Sequence, residues 1–428
     1  MDAKTLGRIE SVGGHLLATP PHSSDNTSNN SNKTTTTTTI TNTNNNIKQI
    51  RVEGGKKVWE TMDNTDMILE RQENHCTVIS LNRPKQLNVL CTDIFVGLNR
   101  KLLNYVHNDN LHLLILKGSG NKAYCAGGDI KELTSNTRKL SYSFPKYFFT
   151  HEYNMDYTAA TLRKPSIVFW DGIAMGGGLG VSCHSTFRIV TERTVWAMPE
   201  VSIGLFPDVG GSYFLSRLPD SLGNYLGLTG KSITGADCLQ FGIATHYILS
   251  ERLPDLERKL VGLVNSQDRN QIESIIMEFA STPKTPSPLL QEWQLIQKHF
   301  ANKFKSVEEI LKSLESSGTK WGTDMVALIR KKSPTSVKIA FRQVKVGSSM
   351  TLEQVFTMEY RIAIRCLESP DFFEGVRAVV VDKDHKPKWN PSTLEQVTDD
   401  QIDRYFSPLP LGQELQLGSN FYVTGLHQ

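Results

Sequence analysis

Apolar and polar positions fall into regular patterns only from about residue 75. Cys76–Leu81 (CTVISL) alternates like a strand and stops at Arg83-Pro84. Ile94, Phe95, Leu98, Leu102, Tyr105 and Val106 recur three or four residues apart, which predicts an amphipathic helix. Residues 111–116, Ser166–Trp170 and Phe187–Val190 are short apolar runs that predict further strands. Strands alternating with helices predict an α/β domain with a covered sheet, running to about residue 250. Beyond it strand signals become rare. Ser306-Val-Glu-Glu309 and Thr351-Leu-Glu-Gln354 fit the capping-box pattern, each opening an amphipathic run. The C-terminal third therefore predicts helices packed on the α/β unit. Residues 374–384 (EGVRAVVVDKD) are its one β-like interruption, and periodicity reads them equally as a strand or as the end of a helix. No internal repeat of fixed period is present.

Residues 23–46 depart from Ser, Thr and Asn only at Asp25, Lys33 and Ile40. Such a tract buries too little apolar surface to offset the entropy of ordering it. The expected division is a disordered Asn/Thr-rich extension over 1–65, an α/β core over 66–265, a helical region over 266–406 and a tail over 407–428. Lys4 and Arg8 are opposed by Asp2 and Glu10, a poor composition for a transit peptide.

Composition narrows the partners. The formal charge of +3 argues against a general nucleic-acid binder, while leaving room for a local patch facing an anionic ligand. No run of 18 uncharged apolar residues exists, so no membrane span is expected. Six cysteines without a CxxC pair or zinc-finger spacing suggest neither a structural metal nor a disulfide framework, and fit a reducing compartment. The N-x-S/T triplets at Asn26, Asn29 and Asn32 read as by-products of biased composition.

Three segments spend glycines where packing alone does not require them. In the first, a strand leads into Gly118-x-Gly120-x-x-Ala123 and then Cys125-Ala-Gly-Gly-Asp129. The spacing imitates a dinucleotide fingerprint, but Gly127-Gly128 would break the helix that this motif needs. The alternative is a loop whose N–H groups face a ligand without obstruction. The second, Asp171-Gly172 through Met175-Gly176-Gly177-Gly178-Leu-Gly180, lies between a strand and an apolar helical run. Free N–H groups there favour an anion or a developing oxyanion. The plainer reading is close helix–strand packing. In the third, Glu200 and Asp208 sit eight residues apart among Met198, Ile203, Leu205 and Phe206. Desolvation would raise their pKa toward the range useful in acid/base chemistry. The plainer reading makes them surface loop residues or caps, Asp208 capping a helix over 209–218.

Serine-hydrolase readings fail. Gly180-Val-Ser182-Cys-His184 and Gly210-Gly-Ser212-Tyr-Phe214 both lack the final glycine of the nucleophile elbow. His184 reads as a core or boundary histidine, and no base beside Cys125 or Cys183 suggests a thiolate nucleophile.

Together these segments resemble the enoyl-CoA hydratase/isomerase (crotonase) superfamily, and within it the branch that hydrolyses 3-hydroxyacyl-CoA thioesters. The residues carrying the resemblance are Arg83-Pro-Lys-Gln-Leu-Asn88, Cys125-Ala-Gly-Gly-Asp-Ile130, Met175-Gly-Gly-Gly178, Met198-Pro-Glu200 and Leu205-Phe-Pro-Asp-Val-Gly-Gly211. Ser333-Pro-Thr-Ser336, Thr357-Met-Glu-Tyr-Arg361, Glu374-Gly-Val-Arg-Ala378, Asp382-Lys-Asp384 and Pro387-Lys-Trp389 extend it, over about residues 70–405.

The resemblance implies a spiral of β-β-α units with a C-terminal helical region closing an acyl-CoA site. It implies Gly128 and Gly177 as oxyanion N–H donors, Glu200 and Asp208 as catalytic acids, and Glu152 as a substrate-contacting acid. Arg83 and Lys85 lie where the family borders coenzyme A, which is part of the substrate; no separate cofactor and no metal are implied. Family hydratases carry a second glutamate two residues beyond the triple glycine, where this chain has Gly180. Hydration is therefore disfavoured. Hydrolysis of a short branched 3-hydroxyacyl-CoA, 3-hydroxyisobutyryl-CoA of valine breakdown, is the implied reaction. The rivals are an enoyl-CoA isomerase using Glu200 alone and a non-catalytic protein associated with mitochondrial ribosomes. The resemblance also implies a mitochondrial location, with peroxisomal plant members in the family.

Overall fold

The computed structural model describes residues 65–140, 143–263 and 267–418, and residues 36–38, 47–53 and 56–61 as short antiparallel strands. Otherwise the disordered extension expected over 1–65, and the tail beyond 418, fall outside the described residues. Two sheets organise the α/β part. The larger has six strands: β1 (Ile68–Glu73), β2 (Cys76–Leu81), β3 (Leu113–Gly118), β5 (Ser166–Trp170), β7 (Phe187–Val190) and β10 (His246–Tyr247). They lie side by side in that order, all parallel except the β1–β2 hairpin. The smaller sheet orders β4 (Ala123–Cys125), β6 (Ile173–Met175), β8 (Val195–Ala197) and the antiparallel edge β9 (Ile233–Thr234).

Chain order alternates between the sheets. β3, β5 and β7 lie in the large sheet, and each is followed within a few residues by β4, β6 or β8 in the small one. A helical segment follows each pair: α2 (Ile130–Leu140), the single turn Gly177–Gly180, and the 3-10 turn Glu200–Ile203. This repeated β-β-α path is the expected spiral. β2, β5 and β7 occupy the predicted residues, and β3 begins two residues later than the apolar run.

The near-continuous apolar runs are explained by burial on both faces. Val78, Ile115, Ile167 and Ile189 pack against Leu256 and Leu260 of a helix over Leu253–Val261 and against Ile272 and Ile276 of Arg269–Phe279. Ile79, Leu114, Leu116, Val168 and Trp170 face the main core. There they meet α1 (Thr92–His107), whose Ile94, Phe95, Leu98, Leu102 and Tyr105 are buried, and α3 (Ser143–Ala160).

After β10 no described residue belongs to a strand. Two helices matter for the site: α4 (Pro334–Gly347) and α5 (Leu352–Cys366). Ser333 caps α4 through its hydroxyl and donates to Asp371 at 2.6 Å. Thr351 and Gln354 form the full reciprocal box at the start of α5. Ser306 makes only half of one, because Glu309 reaches back to the Lys305 N–H instead. Residues 374–384 prove to be the end of a helix. α6 (Pro370–Val376) runs into a π-helical turn, Arg377–Val381. Arg377 closes this turn with Glu374, Asp382 and Asp384 at 2.7–2.8 Å, and that charge cluster supports a backbone path the valines alone would not choose. No described helix is long and apolar enough to cross a membrane.

Candidate active site

The small sheet places three functional positions by the same device. Its parallel strands β4, β6 and β8 end at Cys125, Met175 and Ala197, and Gly128, Gly177 and Glu200 follow within three residues. Ligands in open α/β sheets gather at this carboxyl edge, where the following helical segments begin and their first N–H groups lack intrahelical partners. Neighbouring strands therefore bring the two glycine loops and Glu200 together.

The loops touch. A Cβ on Gly177 would lie 2.5 Å from Glu152 Oε1 and 3.3 Å from the Gly128 nitrogen, so the two loops adjoin and leave no room for a side chain. Among the described residues neither N–H has a hydrogen-bond acceptor. Gly176 takes φ +49°, and a Cβ there would meet Glu200 Oε1 at 2.8 Å. Glu152 thus stands against one glycine and Glu200 against its neighbour.

Arg83 braces the first loop from outside. Its guanidinium donates to Val89 O at 2.9 Å and to Asp129 at 3.0 Å, and Leu90 pairs with the loop through Gly127 O and Asp129 N. The guanidinium that the resemblance places beside coenzyme A is thus held by the loop. Lys85 is exposed, and neither residue lines the cavity described next.

A cavity of about 290 Å³ opens between the loops, α3 and the π-helical turn. Its polar groups are the glycine loops with Glu152, Glu200, Asp208 and Ser202. Its walls are Ile130, Phe148, Phe149, Met175, Ile203, Leu205, Val379 and Val380. Few polar groups converging in an apolar enclosure is the usual composition of a small-molecule site. A larger cleft of about 540 Å³ beside Pro145 and Leu367 holds none of these groups. Of the residues singled out by sequence, Gly128, Glu152, Gly177, Glu200 and Asp208 all line the one cavity.

Burial governs the acids. Glu200 is 7% exposed and Asp208 4%. Desolvation, then repulsion from Asp208, holds Glu200 well above the ordinary carboxyl range. Glu152 is raised in the same way by burial, Asp208 and Glu200. Asp208 is pushed up to about 7 by burial, against a hydrogen bond from Tyr153 Oη to Oδ2 at 2.8 Å. The alternative of Asp208 as a helix cap is not what forms. The helix here is Gly211–Leu215, Gly210 is its cap residue, and Asp208 contributes only its carbonyl, accepting from Gly211 N at 2.7 Å.

Several contributors carry no chemical signature in the sequence. Asp156, one helical turn beyond Glu152 on α3, is fully buried, and neither carboxyl oxygen has a hydrogen-bond partner among the described residues. A Cβ on Gly180 would lie 2.5 Å from Val209 Cβ and 2.7 Å from Asp156 Oδ2. The position that holds a second glutamate in family hydratases is therefore filled by other residues. Ser202 Oγ accepts from Lys332 Nζ at 2.8 Å, and burial, with Lys331 nearby, lowers that ammonium to about 8. The i, i+4 spacing of Glu152 and Asp156 was the one readable hint. Elsewhere, Ser182 accepts from Trp170 at 2.9 Å and donates to Gly178 O at 2.6 Å, a packing role, and all six cysteines are buried free thiols.

This fold and site define a class. Residues 76–406 match the family model described as enoyl-CoA hydratase/isomerase, and the chain belongs to that family. A crystal structure of a carnitinyl-CoA dehydratase from Mycobacterium thermoresistibile superposes with a TM-score of 0.76 at 31% identity, covering 83% of this chain and 99% of that one. More particularly, the chain is 44% identical over 335 residues to the mitochondrial 3-hydroxyisobutyryl-CoA hydrolase of Xenopus tropicalis, covering 78% of this chain and 86% of the relative. It is 39% identical over 370 residues to the protein of that name from Gallus gallus, covering 85% and 94%.

Proposed function

We propose that this chain hydrolyses the thioester of a short branched 3-hydroxyacyl-CoA, with 3-hydroxyisobutyryl-CoA of valine breakdown as substrate. The observation that carries the reading is the meeting of two free glycine amides with Glu200 and Asp208, while Gly180 has no space for a second hydratase acid. The thioester oxygen accepts from Gly128 and Gly177 N–H, which stabilise the charge that develops as the carbonyl becomes tetrahedral. Glu200, ionised, either forms a bond to the carbonyl carbon and expels coenzyme A as thiolate, or takes a proton from water as that water bonds to the carbonyl carbon and the C–S bond breaks to release coenzyme A. In the first route water then opens the acyl anhydride. Asp208 and Glu152 hold the substrate hydroxyl or the hydrolytic water. A volume of about 290 Å³ suits a short acyl group. Exposed Lys85 offers a charge for the coenzyme A phosphates. The relatives are named mitochondrial, and the same location is proposed here.

The test is release of free thiol from 3-hydroxyisobutyryl-CoA by wild type, Glu200→Gln and Asp208→Asn. Turnover by wild type, reduced roughly 10³-fold or more in Glu200→Gln and roughly 10²–10⁴-fold in Asp208→Asn, is the expected result. A folded wild type that binds the acyl-CoA yet releases no thiol would sink the reading.

A further inference from the structure

Asp208 reaches the cavity from a turn that runs against backbone preference. Val209 has φ +54° and Gly210 φ +85°. For a β-branched residue the left-handed region is a genuine outlier, and such conformations persist only where surrounding contacts over-determine them. Those contacts come from the C-terminal helices. Glu359 on α5, itself fully buried, accepts from Gly210 N and Ser212 N at 2.7 Å each, one bond to each carboxylate oxygen. Gln343 on α4 donates to the Pro207 carbonyl, and Tyr153 on α3 holds the Asp208 carboxyl. Glu359 does not line the cavity. It touches the site through the turn, and its charge adds only the last of the pushes that raise Glu200.

We propose that Glu359, assisted by Gln343, is a positioning residue for hydrolysis: its carboxylate locks the left-handed turn over residues 207–212 and so sets the Asp208 carboxyl against the substrate. The inference rests on Asp208 acting in the hydrolysis proposed above. In the Thr357-Met-Glu-Tyr-Arg361 segment it gives the glutamate a task. It also makes the helical region part of the catalytic geometry as well as a cover over the cavity. A reacting group displaced by about 1 Å loses roughly 10²-fold in rate.

The experiment is a double-mutant cycle on thiol release, with kcat and KM measured for wild type, Glu359→Gln, Asp208→Asn and the double variant. Glu359→Gln keeps the side-chain shape but turns an amide N–H toward one of the two backbone donors. It is expected to lower kcat about 10–100-fold, with KM within about threefold of wild type. Placed on Asp208→Asn it is expected to lower kcat by less than about threefold further, because the group it positions is already gone. A double variant showing the product of the two single losses, or a wild-type kcat in Glu359→Gln, overturns the inference. If Glu359→Gln does not fold, Gln343→Met, which frees the Pro207 carbonyl without touching the buried carboxylate, goes through the same cycle, and additive losses there overturn it. A wild-type rate in Asp208→Asn alone removes the role proposed for Asp208 and the inference with it. Additivity on a crippled Asp208→Asn removes only the inference.

Discussion

Gly128 and Gly177 reach the cavity at the ends of β4 and β6, whereas Asp208 reaches it through a turn held by α3, α4 and α5. The first region offers backbone atoms. Their placement follows from strand pairing, and the only demand on the sequence is that nothing protrude beyond the main chain. The second offers side chains, and each must be held by partners distant in sequence, Gly210 and Glu359 being 149 residues apart. Donors built into a sheet edge tolerate changes around them but not a change of the glycine itself. Acids on a gripped turn depend on their surroundings.

The sharpest way to break the first region is one methyl group. In Gly177→Ala the new Cβ lies 2.5 Å from Glu152 Oε1 and 3.3 Å from Gly128 N. Either Glu152 swings aside or the loops part, and both outcomes disturb the site. We expect kcat for thiol release to fall by about 10²-fold while the far-ultraviolet spectrum stays that of wild type. A Gly177→Ala enzyme within threefold of wild type would show that the Gly177 amide does not serve as a donor.

The second region is sharpened by pH. Burial pushes the Asp208 carboxyl up to about 7, against 3.8 for the free side chain, and pushes Glu359 up as well, against the backbone N–H bonds that its carboxylate accepts. A raised carboxyl pKa means that the folded state binds the proton more tightly than the unfolded chain. Its contribution to stability is therefore complete below about pH 4 and is lost as pH rises toward 7. Each such group contributes a slope of at most about 1.4 kcal/mol per pH unit within that window. Urea unfolding at pH 5, 6 and 7 is expected to show stability falling with pH, and Asp208→Asn is expected to remove about one group's share of the slope. An unchanged slope in the variant would mean that Asp208 is already ionised in the fold at pH 5.

The same contrast separates what was legible in the sequence from what was not. β2, β5 and β7 were readable because strands buried on both faces are apolar at nearly every position. β4, β6 and β8 are three residues each and sit in glycine-rich stretches, too short to show a period. The five cavity positions were legible as a family pattern, and all but Glu152 also had a chemical argument. Asp208 still read equally well as a cap, since nothing near it in sequence tells that Glu359 takes the amides at Gly210 and Ser212. Residues 374–384 stayed open between a strand and a helix end: three consecutive valines suggest a strand, yet the turn is closed by Arg377 and three carboxylates, an arrangement that periodicity does not register.

The smallest predicted effect again adds one methyl to a glycine, in the helical region. Gly318 lies between the helices Val307–Glu315 and Lys320–Arg330 with φ +62°, and a Cβ on it would meet nothing within 4 Å. Space therefore costs nothing in Gly318→Ala. What remains is the left-handed backbone, about 1–2 kcal/mol for an L-residue, partly offset by the lower entropy of the unfolded chain. A net loss of about 1 kcal/mol lowers Tm by roughly 2–4 °C in a domain of this size, and kcat should stay within experimental error of wild type. A drop in kcat comparable to that of Gly177→Ala would mean that the helical region transmits strain to the site from any point, and that the grip at Gly210 and Ser212 has no special standing.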